Sequence, residues 1–348
     1  MPIGTLINFA RAVLSTRDLR AQFGLIRDSR ASTRLMFLHA ARESGLTQAL
    51  SSPATLDELA ARMGAERPEL LEALLAVGVS VGELRLAGRR YALRGRSIRA
   101  LADPANDALA AMLDETMRYH ASAYLQFGPR LRGAEMGRYL DEFDTVIARS
   151  SRVLEPFLAG FVRNIVPPHG PVRILEMGCG SGVYLRYAAE RNRDATGIGV
   201  DLSGEVAGDT RARMAAWGLG SRFEIRAGDV RSLSTDAVGT FDLVTSYNNI
   251  YYIPPDDRVA LLRHLRAMLR PGGRLALVSM FQGSSIAACN FDLALQSTVG
   301  CSPLPRLDEL ERQMSEAGFG AVRGTHLVPT EPFYGVVASL EAGRSAAA

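Results

Sequence analysis

Apolar residues in the first eighty positions recur at helical spacing in three segments. The first predicted helix runs from Arg34 to Leu50 and ends at the Ser-Ser-Pro break that follows. The second begins after Thr55, where Glu58 three positions later predicts a capping box, and it ends at Gly64. Pro68 begins the third helix. The buried side of this third helix is predicted to carry Leu70, Leu71, Leu74, Leu75 and Val77.

A hairpin is predicted after these helices. From Leu84 to Leu93 apolar residues alternate with polar ones around a turn at residues 88–90, which is typical of two short antiparallel strands. Three helices followed by a hairpin form the winged helix-turn-helix arrangement. The helix that would enter a major groove carries Glu69 and Glu72, whose carboxylates would face phosphates. The sequence therefore argues against DNA binding.

The pattern changes near residue 170. Residues 101–165 contain further helical periods, and the Pro-Pro-His-Gly segment at 167–170 interrupts them. From Val172 onward, short apolar runs alternate with helical segments, which is typical of a parallel sheet covered by helices. We therefore expect a helical first domain over residues 1–160 and an α/β second domain over residues 161–342.

Composition and charge exclude several classes of protein. The chain has 348 residues, of which 47% are hydrophobic, and this length fits two domains. Its 40 basic and 37 acidic residues form no long run of like charge, so we expect no nucleic-acid partner. All the basic residues are arginine. A chain without lysine cannot form a Schiff base or complete a Walker A phosphate loop.

Cysteine spacing and hydropathy point to the cytoplasm. Cys179, Cys289 and Cys301 lie far apart without Cys-x-x-Cys spacing, so neither a disulfide framework nor a zinc site is expected. No histidine–carboxylate spacing requires another metal. The first twenty residues have too short an apolar stretch for a signal peptide, and no stretch reaches 18 uninterrupted apolar residues. We therefore expect a cytoplasmic protein with no membrane partner.

The candidate chemistry begins at a glycine-rich turn. Residues Val172–Met177 are predicted as a buried strand, and a Gly-x-Gly-x-Gly turn starting at Gly178 precedes a helix. Dinucleotide enzymes instead use Gly-x-Gly-x-x-Gly, and here Glu176 stands two positions before the first glycine. Asp201 ends the next predicted strand, where a carboxylate can accept both hydroxyls of a ribose diol. The spacing therefore disfavours a dehydrogenase.

This combination resembles motif I of class I S-adenosylmethionine-dependent methyltransferases, and the resemblance covers about residues 33–340. Residues 33–95 are similar to the N-terminal dimerisation domain of bacterial small-molecule O-methyltransferases. The resemblance implies an α/β, Rossmann-like, seven-stranded methyltransferase domain preceded by a mainly helical winged-helix dimerisation domain. It also implies S-adenosylmethionine as cofactor, S-adenosylhomocysteine as product, a small-molecule substrate and a homodimer.

The resemblance also assigns residues to the cofactor. In the family, the acid matching Glu176 lies near the cofactor's amino-acid end, and an aspartate matching Asp229 accepts from the adenine amine. A fourth strand, Phe241–Ser246, opens at the mouth where methyl group and substrate meet, and an Arg-Pro-Gly-Gly segment precedes the fifth. The predicted cofactor residues are Glu176, Gly178, Gly180, Gly182, Asp201, Leu202, Gly228, Asp229, Val230, Tyr247 and Asn248.

The catalytic residues are less defined. In the plant-like O-methyltransferases that the chain resembles, a histidine just after the fourth strand takes the substrate proton, but residues 249–256 contain no histidine. A base is an optional addition, because methyl transfer is an in-line displacement that depends on alignment. His120 or Tyr251 is expected to contact the nucleophile. The predicted substrate pocket is aromatic and apolar, and contains Tyr119, Tyr124, Phe127, Tyr252, Met280 and Phe281.

The sequence thus predicts methylation of an aromatic or apolar biosynthetic intermediate, with oxygen favoured as the acceptor. Residues 282–305, rich in glycine, serine and proline, are expected to form a lid over the substrate. The alternatives are methylation of carbon or nitrogen, and a cofactor-binding isomerase or cyclase that transfers no methyl group. A DNA-binding regulator is disfavoured by the acidic helix described above.

Overall fold

The computed structural model describes residues 17–139 and 144–340, together with positions 8, 13 and 15. Its contacts divide the chain into two compact units, Met1–Leu113 and Asp114–Ala348. The second unit therefore includes the helices that precede the sheet as well as the sheet itself. A functional division after residue 160 stays a prediction.

The first unit is mainly helical and contains one hairpin, as predicted. Leu84 pairs with Leu93 and Ala87 with Arg90 across that hairpin. The elements, of which the last reaches into the second unit, are α1 (Leu19–Glu43), α2 (Leu46–Ala49), α3 (Leu56–Met63), α4 (Pro68–Ser80), β1 (Leu84–Ala87), β2 (Arg90–Leu93), α5 (Arg96–Ala102), a 3₁₀ turn at Pro104–Asn106 and α6 (Asp107–Asp114).

A glycine ends the first helix earlier than the apolar pattern predicts. Gly45 lies between α1 and α2 with a φ of +78°, a left-handed conformation that other residues rarely adopt. The prediction of one helix from Arg34 to Leu50 is therefore wrong at both ends. α1 begins well before Arg34, and the chain turns at Gly45 before α2 starts.

The next two helices follow the sequence signals closely. The Thr55 hydroxyl accepts from the Glu58 N–H at 3.3 Å, and the Glu58 carboxylate accepts from the Thr55 N–H at 3.0 Å, which confirms the capping box. α4 begins at Pro68 and buries Leu71 and Leu75, but Leu70 is 65% exposed. Neighbouring helix positions are about 100° apart, so Leu70 cannot share the buried face of Leu71.

A buried carboxylate joins three segments of the first unit. Glu83 is 1% exposed and precedes β1. Arg34 Nε on α1 donates to its Oε1 at 2.5 Å, and the Ile98 N–H on α5 donates to its Oε2 at 3.0 Å. Glu83 therefore satisfies an arginine and a helix N–H that would otherwise lose their partner.

The second unit places helices before and between the strands. They are a π-helical turn at Glu115–His120, α7 (Ala121–Leu125), α8 (Phe127–Leu131), α9 (Asp144–Ser150), a 3₁₀ turn at Ser151–Leu154, α10 (Glu155–Ile165), α11 (Val183–Arg191), α12 (Gly204–Ala216), a 3₁₀ turn at Val230–Ser232, α13 (Thr235–Val238), a 3₁₀ turn at Ile250–Tyr252, α14 (Pro255–Ala267), α15 (Ile286–Gln296) and α16 (Leu307–Glu316).

Seven strands form one mixed sheet. They are β3 (Val172–Met177), β4 (Ala195–Asp201), β5 (Phe223–Ala227), β6 (Phe241–Tyr247), β7 (Leu269–Met280), β8 (Gly320–Val328) and β9 (Phe333–Ser339). Their order in the sheet is β5-β4-β3-β6-β7-β9-β8. The strands β3 to β7 pair in parallel, and β9 is antiparallel to both of its neighbours. The order reverses between β3 and β6, which is where open α/β sheets bind ligands.

The core of the second unit lies on both faces of this sheet. Helices α10, α11 and α12 contribute to one apolar cluster, which contains Leu158 and Leu185. Helices α14 and α16 contribute to the other, which contains Leu262 and Leu310. Because helices cover both faces of the sheet, the parallel strands are apolar along most of their length. In the described ranges no helix combines the length and apolarity needed to cross a membrane.

Candidate functional site

The site is built on the turn between β3 and α11. Gly178 in this turn has a φ of +63°, and a Cβ placed on it would lie 2.4 Å from the Asn249 Nδ2. The Asn249 amide donates to the Met177 carbonyl at 2.8 Å and to the Gly178 carbonyl at 3.2 Å. The glycine therefore allows the segment after β6 to close against the turn.

Asp201 at the end of β4 contacts the same turn. The Gly180 N–H donates to Asp201 Oδ2 at 2.8 Å, and the Ser203 N–H donates to Oδ1 at 3.1 Å. Ser203 also caps α12, because its hydroxyl accepts from the Val206 N–H. Backbone donors from two turns thus hold the carboxylate in one orientation.

A cavity of about 500 Å³ lies at this edge of the sheet. The predicted residues on its wall are Gly178, Gly180, Asp201, Leu202, Tyr247, Asn248, Tyr251 and Tyr252. The wall residues that the sequence did not assign to a site are Ile147, Ala148, Ser151, Cys179, Ser181, Tyr184, Ser203, Val206 and Asn249. The glycine turn, the end of β4 and the end of β6 therefore meet at one cavity, as the sequence predicts.

The unassigned wall residues fall into two groups. Ser181 and Ser203 stand beside Gly180 and Asp201, so sequence proximity to the predicted motif could have identified them. Ile147, by contrast, comes from α9, which packs against α12. Only tertiary packing brings that helix to the cavity, and no local motif marks it.

Burial controls the ionisation of the groups behind the glycine turn. Glu176 is 1% exposed, and its Oε1 has no hydrogen-bond partner among the described residues. Burial, and then the charge of Asp201, raise the pKa of Glu176 well above its usual value. Burial likewise raises the pKa of Tyr184 and of Tyr247, whose rings lie 4.5 Å apart. These phenols are therefore neutral hydrogen-bonding groups near pH 7.

Asp229 follows β5, and its carboxylate is paired with an arginine. The Arg231 side chain donates to both carboxylate oxygens at 2.6–3.0 Å, and its N–H donates at 2.8 Å. The hydrogen bonds from Arg231 lower the pKa of Asp229. Five predicted cofactor residues are not among those of the cavity wall: Glu176, Gly182, which caps α11, Gly228, Asp229 and Val230. Their contact with the cofactor stays a prediction.

His120 lies in a partly buried group of polar side chains outside the cavity wall. Its Nδ1 lies 3.1 Å from the Asn290 amide nitrogen, and its Nε2 lies 3.8 Å from Glu115 Oε1. Tyr124 donates to the Asn290 amide oxygen at 2.9 Å, so the amide nitrogen faces the imidazole and donates to it. Burial lowers the pKa of His120, although the charge of Glu115 opposes this. A neutral ring in this setting carries its proton on Nε2.

The other predicted substrate residues are dispersed. Tyr119 is buried and donates to the Ala294 carbonyl, whereas Tyr124 and Phe127 are about half exposed. Phe281 is 1% exposed and belongs to the core cluster on the face of α14 and α16. Met280 packs beside the cluster around Tyr251. Of the predicted substrate set, Tyr252 lies on the cavity wall, and the remaining contacts stay predictions.

The predicted lid contains a helix and is anchored. α15 occupies Ile286–Gln296 within it, and the Leu304 N–H donates to Asp292 Oδ1 at 2.7 Å. The Ser302 N–H donates to the Tyr251 carbonyl at 2.7 Å, and the buried Arg258 donates to the Pro303 carbonyl at 3.3 Å. The segment after α15 is thus held against the turn that carries Tyr251 and Tyr252.

Across the described ranges, His, Cys, Asp and Glu side chains form no group of three or more suited to a metal ion.

Sequence comparison places this site in a known domain. A family described as "Methyltransferase domain" matches residues 174–273. The chain is 30% identical over 127 residues to the ubiquinone biosynthesis O-methyltransferase of Xanthomonas axonopodis pv. citri, covering 36% of this chain and 50% of that protein. It is 35% identical over 115 residues to the nocamycin O-methyltransferase of Saccharothrix syringae, covering 33% and 40%. The chain thus spans half or less of the length of these relatives.

Structural comparison extends over more of the chain. The mitomycin 7-O-methyltransferase superposes with a TM-score of 0.77 and 21% identity, covering 96% of this chain and 99% of that one. At this identity the likeness shows the fold, which agrees with the predicted helical N-terminal region and seven-stranded sheet. Residues 174–273 therefore match a methyltransferase domain, and they lie in a Rossmann-like, seven-stranded sheet.

Proposed function

We propose that the protein is a methyltransferase that uses S-adenosylmethionine and acts on a small molecule. One observation carries the proposal. In a sheet whose residues 174–273 match a methyltransferase domain, the Gly180 N–H holds Asp201 at the wall of a cavity large enough for a ligand. Glycine turn and acid stand at the carboxyl edge of the sheet, where such folds bind nucleotides.

Asp201 on the cavity wall and Glu176 behind the glycine turn suit parts of that cofactor. Asp201 supplies a carboxylate for the ribose diol, and Glu176 has an unpartnered buried oxygen behind the glycine turn. When bound, the cofactor supplies a methyl group on a positively charged sulfur. The task of the protein is then to align substrate and cofactor, which lowers the barrier by several kcal/mol in well-oriented reactions.

Part of the cavity wall is aromatic. Tyr247, Tyr251 and Tyr252 line it, and burial raises the pKa of all three hydroxyls. Neutral phenols offer flat apolar faces and hydrogen-bond donors, which suit an aromatic or extended apolar molecule. The names of the relatives above, O-methyltransferases in each case, support oxygen as the acceptor.

Tyr251 is the better candidate to contact the nucleophile. It lines the cavity, and its hydroxyl is hydrogen-bonded to that of Tyr252. A neutral hydroxyl at this place orients the acceptor atom by donating to it. His120 is the second candidate, but it does not line the cavity. The ring of Phe291 contacts both side chains: its centroid is 5.2 Å from that of Tyr251 and 6.2 Å from that of His120. A role for His120 as a base also requires that Asn290 release its Nδ1.

We also propose that the protein is a homodimer formed through α1. From Leu19 to Met36 this helix buries no residue, while Phe23, Leu25 and Ile26 are each more than half exposed. Helices without packing are marginal in water, and exposed apolar patches of this kind mark interfaces. A second copy of α1 offers the complementary apolar surface. Light scattering should give about twice the 37.6 kDa of one chain, and a stable monomer would contradict the proposal.

A cytoplasmic location completes the proposal. Cys179, Cys289 and Cys301 are all unpaired, and free thiols persist in a reducing compartment.

The methyl-transfer proposal is tested with labelled cofactor. The purified chain is incubated with methyl-labelled S-adenosylmethionine and a panel of phenolic, enolic and carboxylic acceptors. We expect label on an oxygen of one acceptor class and an equal amount of S-adenosylhomocysteine. Label on carbon or nitrogen would correct the acceptor. Conversion of an acceptor without label or S-adenosylhomocysteine would replace methyl transfer by isomerisation or cyclisation.

A further inference from the structure

The cavity wall carries charge of one sign. Asp201 is the only acidic side chain among the described residues that line the cavity, and none of those residues is an arginine or a histidine. The whole chain has 40 basic and 37 acidic residues, so the wall departs from the charge balance of the protein. A ligand in the cavity therefore meets no positive side chain on the described wall.

Four tyrosines form the aromatic part of this wall. We call them the tyrosine wall: Tyr184 on α11, Tyr247 at the end of β6, and Tyr251 and Tyr252 in the turn that follows. The ring centroids of Tyr184 and Tyr247 lie 4.5 Å apart with the planes at 53°. Those of Tyr251 and Tyr252 lie 4.7 Å apart with the planes at 75°. The two pairs thus give the wall aromatic rings in several orientations.

The rings of the tyrosine wall are uncharged and their surroundings are mainly negative. Burial raises the pKa of all four hydroxyls, so they keep their protons near pH 7. The charge of Glu115 adds to this effect at the pair after β6. Arg152 acts on Tyr184 with the opposite sign, but it is paired with Glu155 at 2.9 Å. The faces of neutral aromatic rings attract cations.

We propose that the tyrosine wall is a receptor for a positively charged ligand group and discriminates against the neutral form of that group. This inference rests on the proposed function, because S-adenosylmethionine carries a sulfonium at the atom that loses the methyl group. S-adenosylhomocysteine has a neutral thioether at the same atom. The wall should therefore bind the cofactor more tightly than its product. Transfer of the methyl group removes the charge, and the weaker attraction favours release of the product.

The expected size of the preference follows from the burial of the rings. The attraction between a cation and an aromatic face is larger where water is excluded. Tyr184, Tyr247 and Tyr251 are each at most 8% exposed. We therefore expect the charged ligand to bind roughly five- to thirtyfold more tightly than the neutral one.

The test compares three ligands by titration calorimetry at pH 7 in the absence of acceptor. S-adenosylmethionine carries its charge on the sulfur, and sinefungin carries an ammonium on the carbon that replaces the sulfur. S-adenosylhomocysteine is neutral at this position, and all three ligands share the adenosine and the amino-acid group. We expect both charged ligands to bind the wild type more tightly than S-adenosylhomocysteine. A preference for S-adenosylmethionine alone would assign the effect to its methyl group and overturn the role of charge.

Variants separate the contribution of the ring from that of the hydroxyl. Tyr247→Leu and Tyr252→Leu remove a ring, whereas Tyr247→Phe and Tyr252→Phe keep it. We expect each leucine variant to reduce the preference for the charged ligands by roughly twofold or more, and the phenylalanine variants to retain it. Tyr187→Leu is the matched control and should also retain it, because Tyr187 lies on α11 away from the cavity wall and donates to Glu155.

The outcomes separate this inference from the proposed function. Thermal unfolding first checks that each variant is folded, and Tyr252 is the less buried of the two positions. Equal affinity of the wild type for the three ligands, or tighter binding of S-adenosylhomocysteine, would overturn the inference and leave the proposed function standing. Leucine variants that weaken all three ligands equally, or that keep the full preference, would overturn the role of the rings. Failure of the wild type to bind any of the three would instead refute the proposed function, and this inference with it.

Discussion

Replacing Gly178 by alanine tests how the glycine turn is held against the segment after β6. The new Cβ would lie 2.4 Å from Asn249 Nδ2, so the amide must leave its two carbonyl partners. Loss of those bonds costs about 0.5–1.5 kcal/mol each. The φ of +63° adds roughly 1–2 kcal/mol for any residue with a Cβ. Together the substitution should destabilise the second unit by about 2–5 kcal/mol.

Gly180→Ala is the control for the cost of backbone strain. Gly180 has a φ of +51° in the same turn, but a Cβ there meets nothing within 4 Å. Gly180→Ala should therefore cost only the strain of about 1–2 kcal/mol. Urea unfolding followed by the fluorescence of Trp217, the single tryptophan, reports on the second unit.

A double-mutant cycle isolates the contact between Gly178 and Asn249. In the Asn249→Ala background the amide is absent, so Gly178→Ala should cost no more than Gly180→Ala does in the wild type. The reasoning would be refuted by equal costs for the two glycine substitutions in the wild type. Additive effects of Gly178→Ala and Asn249→Ala would refute it as well.

Three other results are expected. Glu83→Ala should lower the stability of the first unit by about 1–3 kcal/mol in thermal unfolding, because the Ile98 N–H loses its partner; an unchanged melting temperature would exclude the anchoring role. Tyr251→Phe should lower kcat for methyl transfer more than it raises KM, and unchanged kinetics would remove Tyr251 from the site. Arg231→Gln should raise the pKa of Asp229 toward its ordinary value in an NMR titration. The stability that this ion pair provides is fully present above the ordinary pKa of an aspartate, and it is lost as the pH falls through the lowered pKa of Asp229. The stability of the variant should therefore no longer depend on pH in this range.

Local signals predicted most of the fold. The strand at Val172–Met177 has the predicted bounds, because its apolar run is closed by Gly178 on one side and by the Pro-Pro-His-Gly segment on the other. The capping box at Thr55 and Glu58 was equally readable, since capping depends on four consecutive residues. The apolar spacing does not predict the break at Gly45, because the spacing continues through this residue. The spacing of apolar residues carries no information about the backbone conformation of a glycine.

The candidate site was predictable where a motif defines it. Gly178 and Asp201 were found because strand, turn and acid follow one another at fixed spacing, and both lie on the cavity wall. Asn249 and Tyr184 were missed because their importance depends on a clash and on a place in the cavity wall that only coordinates reveal. Phe281 was expected in the pocket, yet it packs in the core, because its position at the end of β7 does not fix which face its ring takes.

The most direct test of the central claim is calorimetric titration of the wild type and Asp201→Ala with S-adenosylhomocysteine. Asp209→Ala is the control, since Asp209 is an exposed acid on α12 paired with Arg213. The account predicts binding by the wild type and by Asp209→Ala, and at least about tenfold weaker binding by Asp201→Ala, as for loss of charge-assisted hydrogen bonds. A folded wild type that binds no S-adenosylhomocysteine, or an Asp201→Ala variant that binds it equally well, would contradict the account.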